Sequence, residues 1–75
     1  MLIVDNKTNT AWCFDSIIAL KAEDGKLVEI VRPRGSIYGE SKNVIALFDS
    51  PEAAEEAFDH ILVMYDSGER VCNIN

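Results

Sequence analysis

The sequence predicts an α+β domain: a five-stranded, mostly antiparallel β-meander with one C-terminal α-helix packed on a face, and a short sixth strand as an optional addition. Three observations carry this. Short apolar segments separated by turn-forming residues fill positions 2–48, one stretch of helical period follows over 51–65, and Asp49-Ser50-Pro51-Glu52 stands at its head. At 75 residues the chain is a single domain, 1–75, because so short a chain buries only about 60% of its unfolded surface and has no room for a second core.

The first strand is Leu2-Ile3-Val4, closed by the turn-like Asn6-Lys7-Thr8-Asn9. Thr10 to Phe14 is the second, with Thr10, Trp12 and Phe14 on one face, and Asp15-Ser16 breaks it. Ile17 to Ala22 and Lys26 to Val31 form a hairpin around Asp24-Gly25, a pair that accepts the positive φ angles of a tight turn. Pro33 stops the fourth strand, since proline cannot donate to a ladder. Asn43 to Phe48 is apolar on both faces and is expected to be central or covered. Ser50 then caps a helix from Pro51 to about Tyr65, whose core stripe is Ala54, Ala57, Phe58, Ile61, Leu62 and Tyr65. Gly68 ends it through a left-handed cap, and Val71 to Ile74 supplies the optional strand.

With 48% hydrophobic residues, the chain holds more apolar side chain than one helix on one sheet face can cover, and self-association into a homo-oligomer is the economical outcome. A net charge of −6 opposes general nucleic-acid binding. No apolar run approaches the roughly 20 residues of a membrane span, and the N-terminal residues lack the pattern of a signal peptide, so a cytoplasmic location is expected. Cys13 and Cys72 lack metal-site spacing and read as two free, partly buried thiols.

Charge is unevenly placed. Three of the seven basic residues, Arg32, Arg34 and Lys42, lie in one Gly- and Ser-containing stretch, and Asn43 to Glu69 then holds seven of the thirteen acids and no Lys or Arg. The stretch 32–42 has the parts of an anion site. Arg32, Arg34 and Lys42 suit phosphates, Gly35 and Ser36 offer amide and hydroxyl donors, and Tyr38 offers a ring to stack on a base. Its spacing matches no phosphate-binding fingerprint, and the plainer reading is a solvated connection whose arginines blunt a strand edge. Trp12 reads as core, or as a second stacking ring if it is exposed beside that loop.

On the helix, Glu52, Glu56 and Asp59 surround Val63 opposite the core stripe, and His60 and Met64 extend an apolar flank. Such a face is either simply solvated or a contact for another subunit or a basic partner protein. His60 and Asp59 are adjacent and diverge by about 100° on a helix, so they form no dyad. Cys13 lacks a histidine partner and Ser36 lacks a nucleophile elbow. Neither catalysis nor a metal or cofactor is expected.

The segments Thr10-Ala11-Trp12-Cys13-Phe14-Asp15-Ser16-Ile17 and Phe48-Asp49-Ser50-Pro51-Glu52-Ala53-Ala54-Glu55-Glu56-Ala57-Phe58-Asp59-His60-Ile61 together resemble small accessory proteins of phages and prophages of Gram-positive bacteria. The shared motifs are structural. The chain departs from those proteins at Glu55, Glu56 and Asp59, where they tend to carry basic residues. The resemblance implies a non-enzymatic, anti-defence role. On that expectation the homo-oligomer sequesters a nucleotide-derived anionic signal at Arg32, Arg34, Gly35, Ser36, Tyr38, Lys42 and Trp12. The alternative is an acidic inhibitor or adaptor that binds a host protein through Glu52, Glu56, Asp59, His60, Val63 and Met64.

Overall fold

The computed structural model describes residues 1–31, 39 and 41–75. Its elements are β1 (Leu2–Asp5), β2 (Thr10–Cys13), a 3-10 turn at Phe14–Ser16, β3 (Leu20–Glu23), β4 (Lys26–Val31), β5 (Ser41–Leu47), α1 (Pro51–Asp66) and β6 (Val71–Asn73). The class is α+β, and the helix lies where its cap predicts.

The strands do not form one five-stranded meander. Among the described residues they make two three-stranded sheets, ordered β2-β1-β6 and β3-β4-β5. The break comes at the 3-10 turn, which diverts the chain after Cys13, so that Ile17 and Ile18 lie outside β3 and Ile18 is 95% exposed. The optional strand is real and pairs parallel to β1, with Leu2 opposite Val71 and Ile3 opposite Cys72. All the other pairings are antiparallel.

The β3–β4 hairpin turns through Asp24 (φ 51°) and Gly25 (φ 77°), the left-handed pair that matches strand twist. A Cβ at Gly25 would stand 3.5 Å from the Ser50 carbonyl carbon, so the turn also rests against the chain leading into the helix. That approach is fixed by Phe48 N–H donating to the Gly25 carbonyl at 2.8 Å.

Among the described residues β5 lies at the edge of its sheet, where the sequence predicts a central or covered strand, and its apolar run has a local cause. Leu27 pairs with Ala46 but Val28 pairs with Val44, so Ile45 is the extra residue of a β-bulge. The bulge interrupts the alternation of faces and buries the consecutive Ile45 and Ala46. Val44 and Leu47, on either side, are left 48% and 61% exposed.

The Ser50 hydroxyl accepts from Ala53 N–H at 3.1 Å, and Pro51 opens the helix. Ser50→Ala is expected to cost about 1 kcal/mol with an unchanged denaturant slope. A midpoint equal to that of the parent in a urea titration would mean that the cap contributes nothing. The far end closes as a Schellman motif, with Glu69 N–H donating to Met64 O and Gly68 N–H to Tyr65 O, both at 3.0 Å, and Gly68 at φ 75°.

Ile3 and Cys72 from the first sheet, Leu27, Ile45 and Ala46 from the second, and Ala57 and Ile61 from α1 make one core cluster. The helix stripe is narrower than expected. Ala54, Ala57 and Ile61 are buried and Phe58 is half-buried, but Leu62 and Tyr65 are exposed, because sheets of three strands leave the flank of the helix uncovered. Tyr65 packs on Phe14 in a tilted ring contact, with centroids 5.1 Å apart and planes at 48°. Met64, expected to face a partner, is half-buried against the core.

Buried Asp5 is satisfied by one neighbour in sequence and one distant residue. Its Oδ1 accepts from Lys7 N–H at 2.9 Å and from Asn75 Nδ2 at 3.1 Å, which ties the first turn to residues beyond β6.

Candidate functional site

Helical geometry places Glu52, Glu56, Asp59 and Val63 within an arc of about 60°, directed away from the buried stripe. Glu55 and Asp66 border that arc, and α1 contains no Lys or Arg. All of these residues are exposed, Val63 by 61%, and the neighbouring Leu62 by 45%. His60 is exposed on the far flank.

Among the described residues none of these acids has a cation partner. Glu52 and Glu56, Glu55 and Asp59, Glu52 and Glu55, and Glu56 and Asp59 stand at i,i+4 or i,i+3 spacing, where each like-charged pair weakens a helix by about 0.2–0.5 kcal/mol. Asp66 in the last turn opposes the helix dipole as well. The acidic face therefore makes the free helix less stable than a mixed-charge face would, and a basic surface laid against it removes the repulsion.

The second sheet presents a different outer surface. Residues opposite one another in an antiparallel ladder share a face, so the pairs Lys21–Val28, Val28–Val44, Glu23–Lys26, Lys26–Leu47 and Ile30–Lys42 put these residues together on the side away from α1. Lys42 Nζ reaches both Glu23 carboxylate oxygens at 2.8 Å, and Lys21 Nζ lies 3.5 Å from Glu23. The Lys42–Glu23 pair crosses β4 diagonally above Val28, which is only 2% exposed although it faces outward. The hydrogen bond from Lys42 holds the Glu23 carboxyl below its ordinary value. This long-range pair was not visible in the sequence, because it depends on strand order.

A cleft of about 370 Å³ lies against the first sheet, lined by Met1, Leu2, Cys13, Glu69, Arg70 and Val71. The thiol of exposed Cys13 is acidified, first by a hydrogen bond with the Ser16 side chain and then by the backbone at Ser16 and Asp15. Cys72 is fully buried, and burial raises its thiol pKa. The two thiols are free, as expected, but differ in exposure instead of both being partly buried.

Of the residues expected to bind an anion, Arg32, Arg34, Gly35, Ser36 and Tyr38 lie outside the described residues. Lys42 is engaged with Glu23, as above. Trp12 is half-buried against the core, with its Nε1 buried and lacking a hydrogen-bond acceptor. Among the described residues no three His, Cys, Asp or Glu side chains gather as a metal-holding group, and no helix is long and apolar enough to cross a membrane. Comparison of the chain with protein-family models, curated proteins and solved structures finds no match.

Proposed function

We propose that this chain is a non-enzymatic binding protein that engages a basic surface of a partner protein through the outer face of α1. The observation that carries the reading is the exposure of Val63 and Leu62 on a rigid helix amid acids without cation partners among the described residues. Apolar residues at the centre of such a contact supply desolvation, and the surrounding acids select a basic partner and speed its approach.

The sequestering alternative, in which Arg32 and Arg34 hold the phosphates of a nucleotide-like signal, rests on residues 32–38. Its further cation, Lys42, is already held by Glu23. The helix reading is therefore favoured.

The test is affinity capture with the full chain and with the triple variant Glu52→Lys/Glu56→Lys/Asp59→Lys. The parent is expected to retain a basic protein that the variant loses by at least tenfold, while the variant keeps its circular dichroism and melts no earlier than the parent. A partner held equally by both proteins would rule out the helix face. A phosphorylated metabolite recovered from the parent, and released on changing Arg32 and Arg34 to Ala, would move the function to the alternative.

A further inference from the structure

We infer that the outer face of the β3-β4-β5 sheet of one copy receives the outer face of α1 of a second copy, so that the chain self-associates head to tail. This rests on the reading of α1 as a binding face and names a second copy of the chain as an occupant of it.

The two surfaces complement each other in charge and in apolar content. Among the described residues the sheet face carries Lys21, Lys26 and Lys42 against Glu23, a net of +2 from three cations and one anion. The helix face carries Glu52, Glu55, Glu56 and Asp59 and no Lys or Arg. Within the sheet face, Val44 and Leu47 are exposed, as Val63 and Leu62 are on the helix. A docked copy would cover apolar side chains on both faces while placing lysines against the carboxylates of α1. Pairing like with like fails on charge, because two helix faces repel and two sheet faces repel.

Placement of the faces decides the kind of assembly. Leu27, Ile45 and Ala46 of the second sheet join Ala57 and Ile61 of α1 in the core, so the sheet and helix outer faces lie on opposite sides of the molecule. A contact between unlike faces on opposite sides is heterologous, and it propagates unless its rotation closes a ring. Its strength depends on salt, since between about 50 mM and 0.5 M ionic strength the screening length shrinks from about 14 Å to about 4 Å.

The experiment is sedimentation velocity on the full chain and on two variants. Lys21→Gln/Lys26→Gln cancels the net charge of the sheet face and spares the paired Lys42, and Glu55→Lys/Glu56→Lys cancels that of the helix face. The parent is expected to grow in mass with concentration at low salt, past a dimer, and to dissociate at high salt. Each variant alone is expected to be monomeric, and their mixture to form a 1:1 dimer that grows no further, because only one complementary pair of faces remains. A monomeric parent, a variant that self-associates alone, or a mixture that stays monomeric overturns the inference. Circular dichroism checks that both variants fold, and Lys21→Ala/Lys26→Ala or Glu52→Gln/Glu55→Gln/Glu56→Gln/Asp59→Asn substitutes for either that does not. A monomeric parent that still captures a basic partner through Glu52, Glu56 and Asp59 would overturn self-association alone and leave the proposed function standing.

Discussion

Ile61→Ala is expected to remove a large share of the stability of the domain. Ile61 is fully buried on α1 and belongs to the cluster that includes Ile3 and Cys72 of one sheet and Leu27, Ile45 and Ala46 of the other. α1 packs against β3 and β4 on one side and β6 on the other, so this side chain lies where both sheets are attached. Truncating a buried isoleucine to alanine costs about 2–5 kcal/mol, and a domain of this length has about 4–11 kcal/mol in total. The midpoint of a urea titration should therefore fall by about a fifth or more, and the steepness of the transition should fall too if the sheets begin to unfold separately. A loss under about 1 kcal/mol would mean that α1 does not join the two sheets as described.

The two cysteines are expected to react with a thiol reagent at rates differing by about a thousandfold or more, because a fully buried thiol is reached only through opening of the fold. Alkylation followed by peptide mapping assigns the rates. Cys13 is exposed and held toward its thiolate by Ser16, so its labelling should persist to lower pH than that of a cysteine in the unfolded chain. Cys72 has the opposite sign. Burial raises its pKa, so as pH climbs through the ordinary thiol range the unfolded chain releases a proton that the folded chain retains. The stability associated with that buried neutral thiol is complete below the unfolded pKa and declines above it. Comparable labelling of Cys13 and Cys72 at neutral pH would show that β6 is not docked on β1.

What the sequence revealed of this fold was governed by range. The Ser50 cap, the Asp24-Gly25 turn and the Gly68 closure each depend on a few adjacent residues, and each lies where the sequence places it. The division into two sheets depends on β1 choosing β6 as its second neighbour across the whole chain, and no local pattern encodes that choice. The bulge at Ile45 misled for a related reason. Consecutive buried apolar residues look the same in sequence whether a strand is covered on both faces or kinked at an edge. For the candidate surface, helical period alone located Glu52, Glu56, Asp59 and Val63. The exposure of Leu62 and Tyr65 followed from the width of the sheets, which the period does not contain.

The parallel pairing of β1 with β6 has a consequence for the order of folding. The β3–β4 hairpin, β5 and α1 are joined by contacts close in sequence, but β1 gains its second neighbour only from Val71–Asn73, far along the sequence. Closing a loop of that size carries an entropic penalty that is recovered only once Leu2 N–H meets Arg70 O and Ile74 N–H meets Val4 O. Contact order therefore assigns the β1–β6 pairing, but not the local β1–β2 hairpin, to the late part of the folding reaction. During synthesis β1 is made well before β6, and until β6 arrives the edge of β1 that it will cover stays open to pairing with another nascent chain.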